Sequence, residues 1–270
     1  MNAGGGIHLV INGDDFGMCH AVNVGVLRAF TEGVLTQASM MVPCPWFEGA
    51  AALARQHDLP VGVHLTATCE WDRYRWGPIT AGRSLVAEDG RFHRTTEAVR
   101  DLADPKELEA EFVAQVELAL ARGLRPQYLD WHMVLPKACP EVLARVARRY
   151  GLPMKARPDD VSADVDFGFD SYKEISWEYA DRSAFLRDHI GGLRPGWHLV
   201  NAHVAEDLPE LDKLCSQEHN ARPWAREYRT GDLKALLDPS IREAAAEHGA
   251  VLSTMGERPA PARGRRGAAS

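Results

Sequence analysis

Short apolar runs recur along this chain, and between them apolar residues return every three or four positions. The runs predict strands over Ile7–Asn12, Gln37–Val42, Val61–Thr66, Gln127–His132, Met154–Ala156, Trp197–His203 and Val251–Thr254, where short apolar and β-branched stretches are bounded by turn residues. The intervening segments predict helices over Ala21–Glu32, Phe47–Gln56, Pro105–Ala121, Pro140–Tyr150, Arg182–His189 and Ile241–Glu247; the third carries Phe112, Val116, Leu118 and Leu120 at helical spacing. Strand and helix in alternation imply a parallel sheet, because parallel neighbours need a crossover between them. The predicted fold is therefore α/β, a distorted (β/α) barrel of TIM type with seven or eight mostly parallel strands. An open doubly wound parallel sheet is the alternative.

Three stretches interrupt the alternation, Ala67–Thr96, Arg157–Tyr179 and Val204–Arg222, and each follows a strand. In a βα barrel, loops after strands crowd one face and form the walls of a site. Residues 1–258 read as one catalytic domain. The Pro/Gly/Arg-rich segment 259–270 has no apolar periodicity and reads as a disordered basic tail.

Composition narrows the partners. The chain has 270 residues, 45% of them hydrophobic, and a formal net charge of -7, which gives no general attraction to nucleic acid or to an anionic membrane. No apolar run approaches the roughly 20 residues of a membrane helix, and Met1 to Gly6 contains neither a basic nor an apolar leader region. The expectation is a soluble cytoplasmic protein acting on a small molecule. The five cysteines, without a Cys-x-x-Cys pair, read as reduced thiols.

Candidate chemistry begins at Asn12-Gly13-Asp14-Asp15-Phe16-Gly17, where two adjacent carboxylates end an apolar strand. Side by side they repel unless a cation or proton sits between them, so a metal is one explanation; a solvated turn that caps the next helix is the other. Three histidines tip the balance. His64 ends Val61-Gly62-Val63-His64, where alternation puts it on the face of Gly62; His132 shares a face with Asp130, which can orient it; His203 shares a face with Asn201. Strand ends converge on one mouth of a parallel barrel, and a carboxylate with two imidazoles makes a three-ligand site with open positions. Such a set suits zinc, iron, cobalt or manganese better than magnesium.

Asn12-Gly13-Asp14-Asp15-Phe16-Gly17-Met18, then Gly62-Val63-His64-Leu65, then Leu129-Asp130-Trp131-His132, taken in this order, resemble the motifs of the YdjC-like carbohydrate deacetylases. The similarity extends over most of the chain. It implies a distorted βα barrel that removes acetyl groups from N-acetylated amino sugars or short oligosaccharides with a divalent metal ion, zinc first and cobalt, manganese, iron or magnesium after it. Carried over by motif, Asp15, His64 and His132 bind the metal, Asp14 is the general base toward metal-activated water, and His203 is the general acid. A homodimer is compatible with the resemblance. Two segments depart from the family pattern: Met133-Val134-Leu135 follow the third motif in place of further histidines, and Val204-Ala205-Glu206 follow the late histidine in place of Pro-Gly. Both bear on which sugar is taken, and Glu206 becomes a second candidate for the acid. The rival readings are hydrolysis of another amide or ester bond by the same metal, and a non-catalytic carbohydrate-binding protein.

Several other residues carry two readings. Trp71, Tyr74 and Trp76, among charges in the first interruption, suit stacking on a sugar or anchoring a loop by packing. His20 suits the rim of the site or a helix start. Arg226 and Arg229 suit substrate contact or surface pairs with Glu227 and Asp232. Asp159, Asp160, Asp164 and Asp166 read as a solvated acidic loop.

Overall fold

The computed structural model describes residues 5–133, 135–155, 169–175, 180–216 and 224–259. Among them are seven strands: β1 (Ile7–Phe16), β2 (Gln37–Met40), β3 (Val61–Leu65), β4 (Leu129–Trp131), β5 (Ser171–Glu174), β6 (Gly196–Ala202) and β7 (Ala250–Leu252). Eight helices accompany them: α1 (His20–Thr31), α2 (Phe47–Gln56), α3 (Thr96–Leu102), α4 (Pro105–Ala121), α5 (Pro140–Tyr150), α6 (Arg182–Gly191), α7 (Trp224–Leu236) and α8 (Pro239–Glu247).

All strand pairs are parallel, in the order β4-β3-β2-β1-β6-β5, and β7 pairs with the first residues of β1. The sheet curls into a half-barrel, the distorted barrel that the alternation predicts. β6 lies beside β1 along its whole length from Gly196 to Ala202, so β1 is central and nearly all of it is buried.

Helix ends follow the local chemistry. Asp104 caps α4 by accepting from the Lys106 and Glu107 amides, with Pro105 in the first turn where no amide is needed. Gly151 ends α5 at φ 63°, the left-handed conformation that a residue without Cβ adopts at little cost. On α4 the buried stripe is Leu108, Phe112, Val116 and Ala119, whereas Leu120 is turned outward.

Three sequence expectations change. Ser171–Glu174, inside the second interruption, is a strand; among the described residues it pairs with β6 alone and is half exposed, so its polar residues give no apolar run. Met154 makes a single parallel bridge to Leu129 in place of a full strand, and Ala156 lies outside the described residues. Thr96–Leu102 is a helix capped by the Thr95 side chain. The acidic run from Asp159 to Asp166 and the tail from residue 260 also lie outside the described residues.

Candidate metal centre

Asn12 and Asp14 project from the same face of β1 by ordinary alternation, and the next residue should point away. Asp15 does not, because β1 carries one extra residue there. Gly13 pairs with Ala38 and Phe16 with Met40, leaving Asp14 and Asp15 opposite Ser39 alone. Asp15 takes φ 66°, a left-handed value uncommon outside glycine. The bulge thereby sends two successive carboxylates into one site, and backbone strain of this kind collects where function requires it.

His64 and Asp130 are register partners on β3 and β4, and Asp130 Oδ1 lies 2.9 Å from His64 Nδ1. His64 Nε2 is left facing Asp15 Oδ1 at 3.5 Å. His132 follows β4 and sits with Nδ1 3.3 Å from the same Asp15 oxygen, while its Nε2 lies 2.9 Å from Glu70 Oε2. Each imidazole is thus held by a carboxylate on its far nitrogen, which orients the near one. Gly62, on the face of His64, leaves room for the Tyr128 ring, which fills the space where a Cβ would stand. Tyr128 Oη donates to Asn12 Oδ1 at 2.6 Å.

Asp15 Oδ2 accepts from Arg229 Nη2 at 2.6 Å, but Asp15 Oδ1 is buried without a hydrogen-bond donor. Asp14 differs. Its Oδ1 accepts from Asn12 Nδ2 at 2.7 Å and from Lys155 Nζ at 2.6 Å, and its Oδ2 accepts from Asn201 Nδ2 at 2.6 Å. His203 Nε2 stands 3.9 Å from Asp14 Oδ2, and its Nδ1 lies 3.2 Å from Tyr228 Oη.

Burial opposes charge on all of these groups, and their partners decide the outcome. Lys155, then His64 and His203, hold the Asp14 carboxyl well below the usual range. Arg229, with His132 and His64, does the same for Asp15. Against the cost of burial, Asp130 and Asp14 raise His64 to about 9, and Glu70 and Asp15 raise His132 to about 10.

Residues Asp15, His64 and His132 offer ligand atoms that all lie within 4.8 Å of one another, and this buried group could bind a metal ion. Two features of the donors fit. One is the donorless Asp15 oxygen between two imidazole nitrogens, since a buried carboxylate oxygen without a partner is costly. The other is charge: the buried carboxylates Asp14, Asp15, Glu70 and Asp130 face two buried cations, Lys155 and Arg229. Two protons, one on each imidazole, balance the remaining charge in the metal-free chain, and one divalent ion balances it equally once both imidazoles are neutral ligands.

The site residues read from the sequence, Asp14, Asp15, His64, His132 and His203, therefore lie together. Asp130 holds an imidazole, but that of its register partner His64 rather than that of His132, which Glu70 holds instead. Lys155, Glu70, Asn12 and Arg229 extend the centre beyond those five. Arg229 is 2% exposed and bound to Asp15, so it is no surface pair; Asp232 pairs with Arg182, and Arg226 with Asp207 and Asp212. Glu206 is engaged by Arg28 at 3.2 Å. Trp71 and Trp76 are fully buried and Tyr74 donates to the Met18 carbonyl, which makes them loop anchors. His20 is exposed against the Trp46 ring, 4.8 Å between centroids.

A parallel half-barrel with a buried carboxylate–imidazole cluster at the strand ends defines a class of α/β proteins whose site could bind a metal ion. Within that class, residues 8–247 match the family described as YdjC-like protein, and the chain belongs to that family. It is 33% identical over 259 residues to a carbohydrate deacetylase of Geobacillus stearothermophilus, covering 93% of this chain and 97% of that one. It is 38% identical over 257 residues to a carbohydrate deacetylase of Thermus thermophilus, covering 92% of each. A crystal structure of an Enterococcus faecalis protein, described as a candidate cellobiose-phosphate cleavage protein, is similar at a TM-score of 0.77 and 25% identity, covering 93% of this chain and 98% of that chain. No helix among the described residues is long and apolar enough to cross a membrane.

Proposed function

We propose that this protein is a carbohydrate deacetylase that hydrolyses the acetamide of an N-acetylated amino sugar or short oligosaccharide. The observation that carries this reading is the buried, donorless Asp15 Oδ1 between the His64 and His132 nitrogens. The relatives named as deacetylases over nearly the whole chain supply the reaction class.

Asp15, His64 and His132 would hold a divalent ion, and one oxygen with two nitrogens suits zinc, cobalt, manganese or iron. Bound there, such an ion supplies Lewis acidity toward the acetyl carbonyl and makes water a better nucleophile near neutral pH. Asp14, ionised and fixed by Asn12, Asn201 and Lys155, accepts the proton of the attacking water. His203, at the edge of the site and 19% exposed in its side chain, donates a proton to the departing amine, with Tyr228 Oη orienting its Nδ1. Asp130 and Glu70 keep the two ligand imidazoles turned inward. The substrate is a neutral or weakly charged sugar, in keeping with a centre that carries no cation free of a carboxylate among the described residues.

The test is metal analysis of the purified chain with an assay of acetate release from N-acetylglucosamine, its short β-linked oligomers and its phosphate. Release that stops on chelation and returns with metal is the expected result. Bound metal without acetate from any of these would move the substrate elsewhere, and a chain that takes up no metal would overturn the centre.

A further inference from the structure

We propose that Lys155 is a positioning residue that stands in place of a second metal ion, so that the site is built for one metal ion and Asp14 is fixed relative to the His64–Asp130 pair. This rests on the metal-centre reading above. Lys155 follows the Met154 bridge beside β4, and its amide bonds to the Leu129 carbonyl at 2.7 Å. Its side chain is 3% exposed, and Nζ lies 2.6 Å from Asp14 Oδ1, 2.6 Å from Asp130 Oδ2 and 2.8 Å from Asn201 Oδ1. Three oxygens from three strands match the three hydrogens of an ammonium.

Two clusters in this centre are compact enough to hold a cation: Asp15, His64 and His132 form one, and Asp14, His64 and Asp130 form the other, each with ligand atoms within 4.8 Å. Only the first has an open oxygen. In the second, every carboxylate oxygen already has a donor: Asn12 and Lys155 on Asp14 Oδ1, Asn201 on Asp14 Oδ2, His64 on Asp130 Oδ1, and Ser39 with Lys155 on Asp130 Oδ2. The ammonium occupies the place among hard oxygen donors that a second divalent ion would otherwise take. Charge agrees with geometry. With Lys155 present, one divalent ion offsets the buried carboxylates; without it, one ion does not. A planar guanidinium could not reproduce this pyramidal set of contacts, whereas a point charge on a flexible stem does.

The consequence for the reaction is positional. The carboxylate that takes the proton and the carboxylate that aims His64 are tied to the same nitrogen. Among the described residues the Lys155 ammonium bonds to Asp14, Asp130 and Asn201 and to no member of the ligand triad, so it acts through Asp14 and Asp130.

The test titrates metal-stripped wild type, Lys155→Ser and Lys155→Met with manganese, counting bound ions by equilibrium dialysis and reading their coupling by electron paramagnetic resonance. Wild type should bind one ion per chain even with excess metal. Lys155→Ser, which opens the oxygen cage, should bind two with a spin-coupled spectrum and lose at least tenfold in acetate release. Methylammonium should displace the second ion and restore release, and ethanol of similar size should not. Lys155→Met, which fills the space without charge, should bind one ion and stay impaired in methylammonium. Two ions in wild type overturn the proposal, as does a Lys155→Ser chain that binds one ion and ignores methylammonium. If Lys155→Ser does not fold, the wild-type count and the Lys155→Met activity decide, and full release by folded Lys155→Met overturns the proposal. A wild type that binds no manganese overturns the metal-centre reading itself, a distinct result from binding two.

Discussion

Asp14 and Asp15 are neighbours in sequence, both are buried, and each has its own protein cation, yet their surroundings are opposite in one respect. Around Asp14 both oxygens are satisfied: Asn12, Asn201 and Lys155 surround it in a closed polar network. Around Asp15 the guanidinium of Arg229 holds one oxygen, and the other faces two imidazole nitrogens at 3.3 and 3.5 Å without a formed hydrogen bond. Adjacent acids repel in a medium of low polarity, and the chain answers with a separate cation on the outer side of each. Protein cations thus supply part of the charge compensation that Gly13-Asp14-Asp15 calls for. A closed network keeps a charged group in place; an open oxygen invites a ligand. The difference is what supports the proposed roles, proton transfer for Asp14 and metal binding for Asp15.

The hardest way to break this comparison is to remove the open side. Asp15→Ala, His64→Ala and His132→Ala should each reduce metal content to background and acetate release to the detection limit, as read by elemental analysis and by the release assay. Full occupancy in any of the three would remove that residue from the ligand set.

Removing the charge on the closed side should give the complementary result. Asp14→Asn keeps the shape of the side chain and the ligand triad, so metal content should stay near that of wild type while kcat falls by about 10²–10⁴-fold, the usual worth of a positioned base. The new amide also leaves the Asn201 Nδ2 without an acceptor, at about 1–3 kcal/mol of stability, so the melting temperature should drop modestly. Normal turnover would exclude Asp14 as the base.

The strand-end histidines were legible because period-two alternation and apolar composition mark β3 and β6 clearly; Asp130 was legible by the same alternation as a site residue on the face of His132, but its actual partner, His64, is set by the β3–β4 register. What the chain did not disclose depends on distant segments meeting. Lys155 is a single charge after Met154, and only the bridge to Leu129 brings it over Asp14 and Asp130. Arg229 sits in a helix with other arginines and acids, where nothing local separates a residue buried against Asp15 from a solvated one. The bulge that turns Asp15 inward follows from how β1 pairs with β2, which no local pattern encodes. Trp71 and Trp76 had the composition of a sugar platform, and tertiary packing made them anchors. β5 was hidden because a half-exposed strand at the edge has no need of an apolar run.

A gentler comparison uses pH. Without metal, His64 and His132 titrate near 9 and 10 in the folded chain, with Asp130 and Glu70 among the causes, against about 6.5 in the unfolded chain. A raised pKa means that the folded state holds those protons more tightly. The resulting stability is complete below about pH 6.5 and is lost as pH rises through 9 to 10. Chelated protein should therefore lose a few kcal/mol between pH 7 and pH 10. Metal-loaded protein, in which both imidazoles are neutral ligands, should not show that loss. Thermal unfolding at each pH measures it, and parallel curves with and without chelator would separate the histidines from the metal.

The smallest change tests whether Arg229 merely neutralises Asp15 or also aims it. Arg229→Lys preserves the positive charge but loses the rigid guanidinium whose Nη2 donates to Asp15 Oδ2. If charge were all that mattered, metal affinity would not move. The bulge at Asp15, with φ 66°, gives the carboxylate no help from ordinary strand geometry, so its orientation depends on the guanidinium more than a regular strand residue would. Affinity in the lysine variant should accordingly fall by about tenfold, the lower end of what loss of a partner to a ligand costs. Added metal should restore turnover to near the wild-type kcat, because Asp14 and its network lie on the other side of the centre and are untouched. A fall in kcat that excess metal does not repair would mean that the two sides are coupled through Asp15.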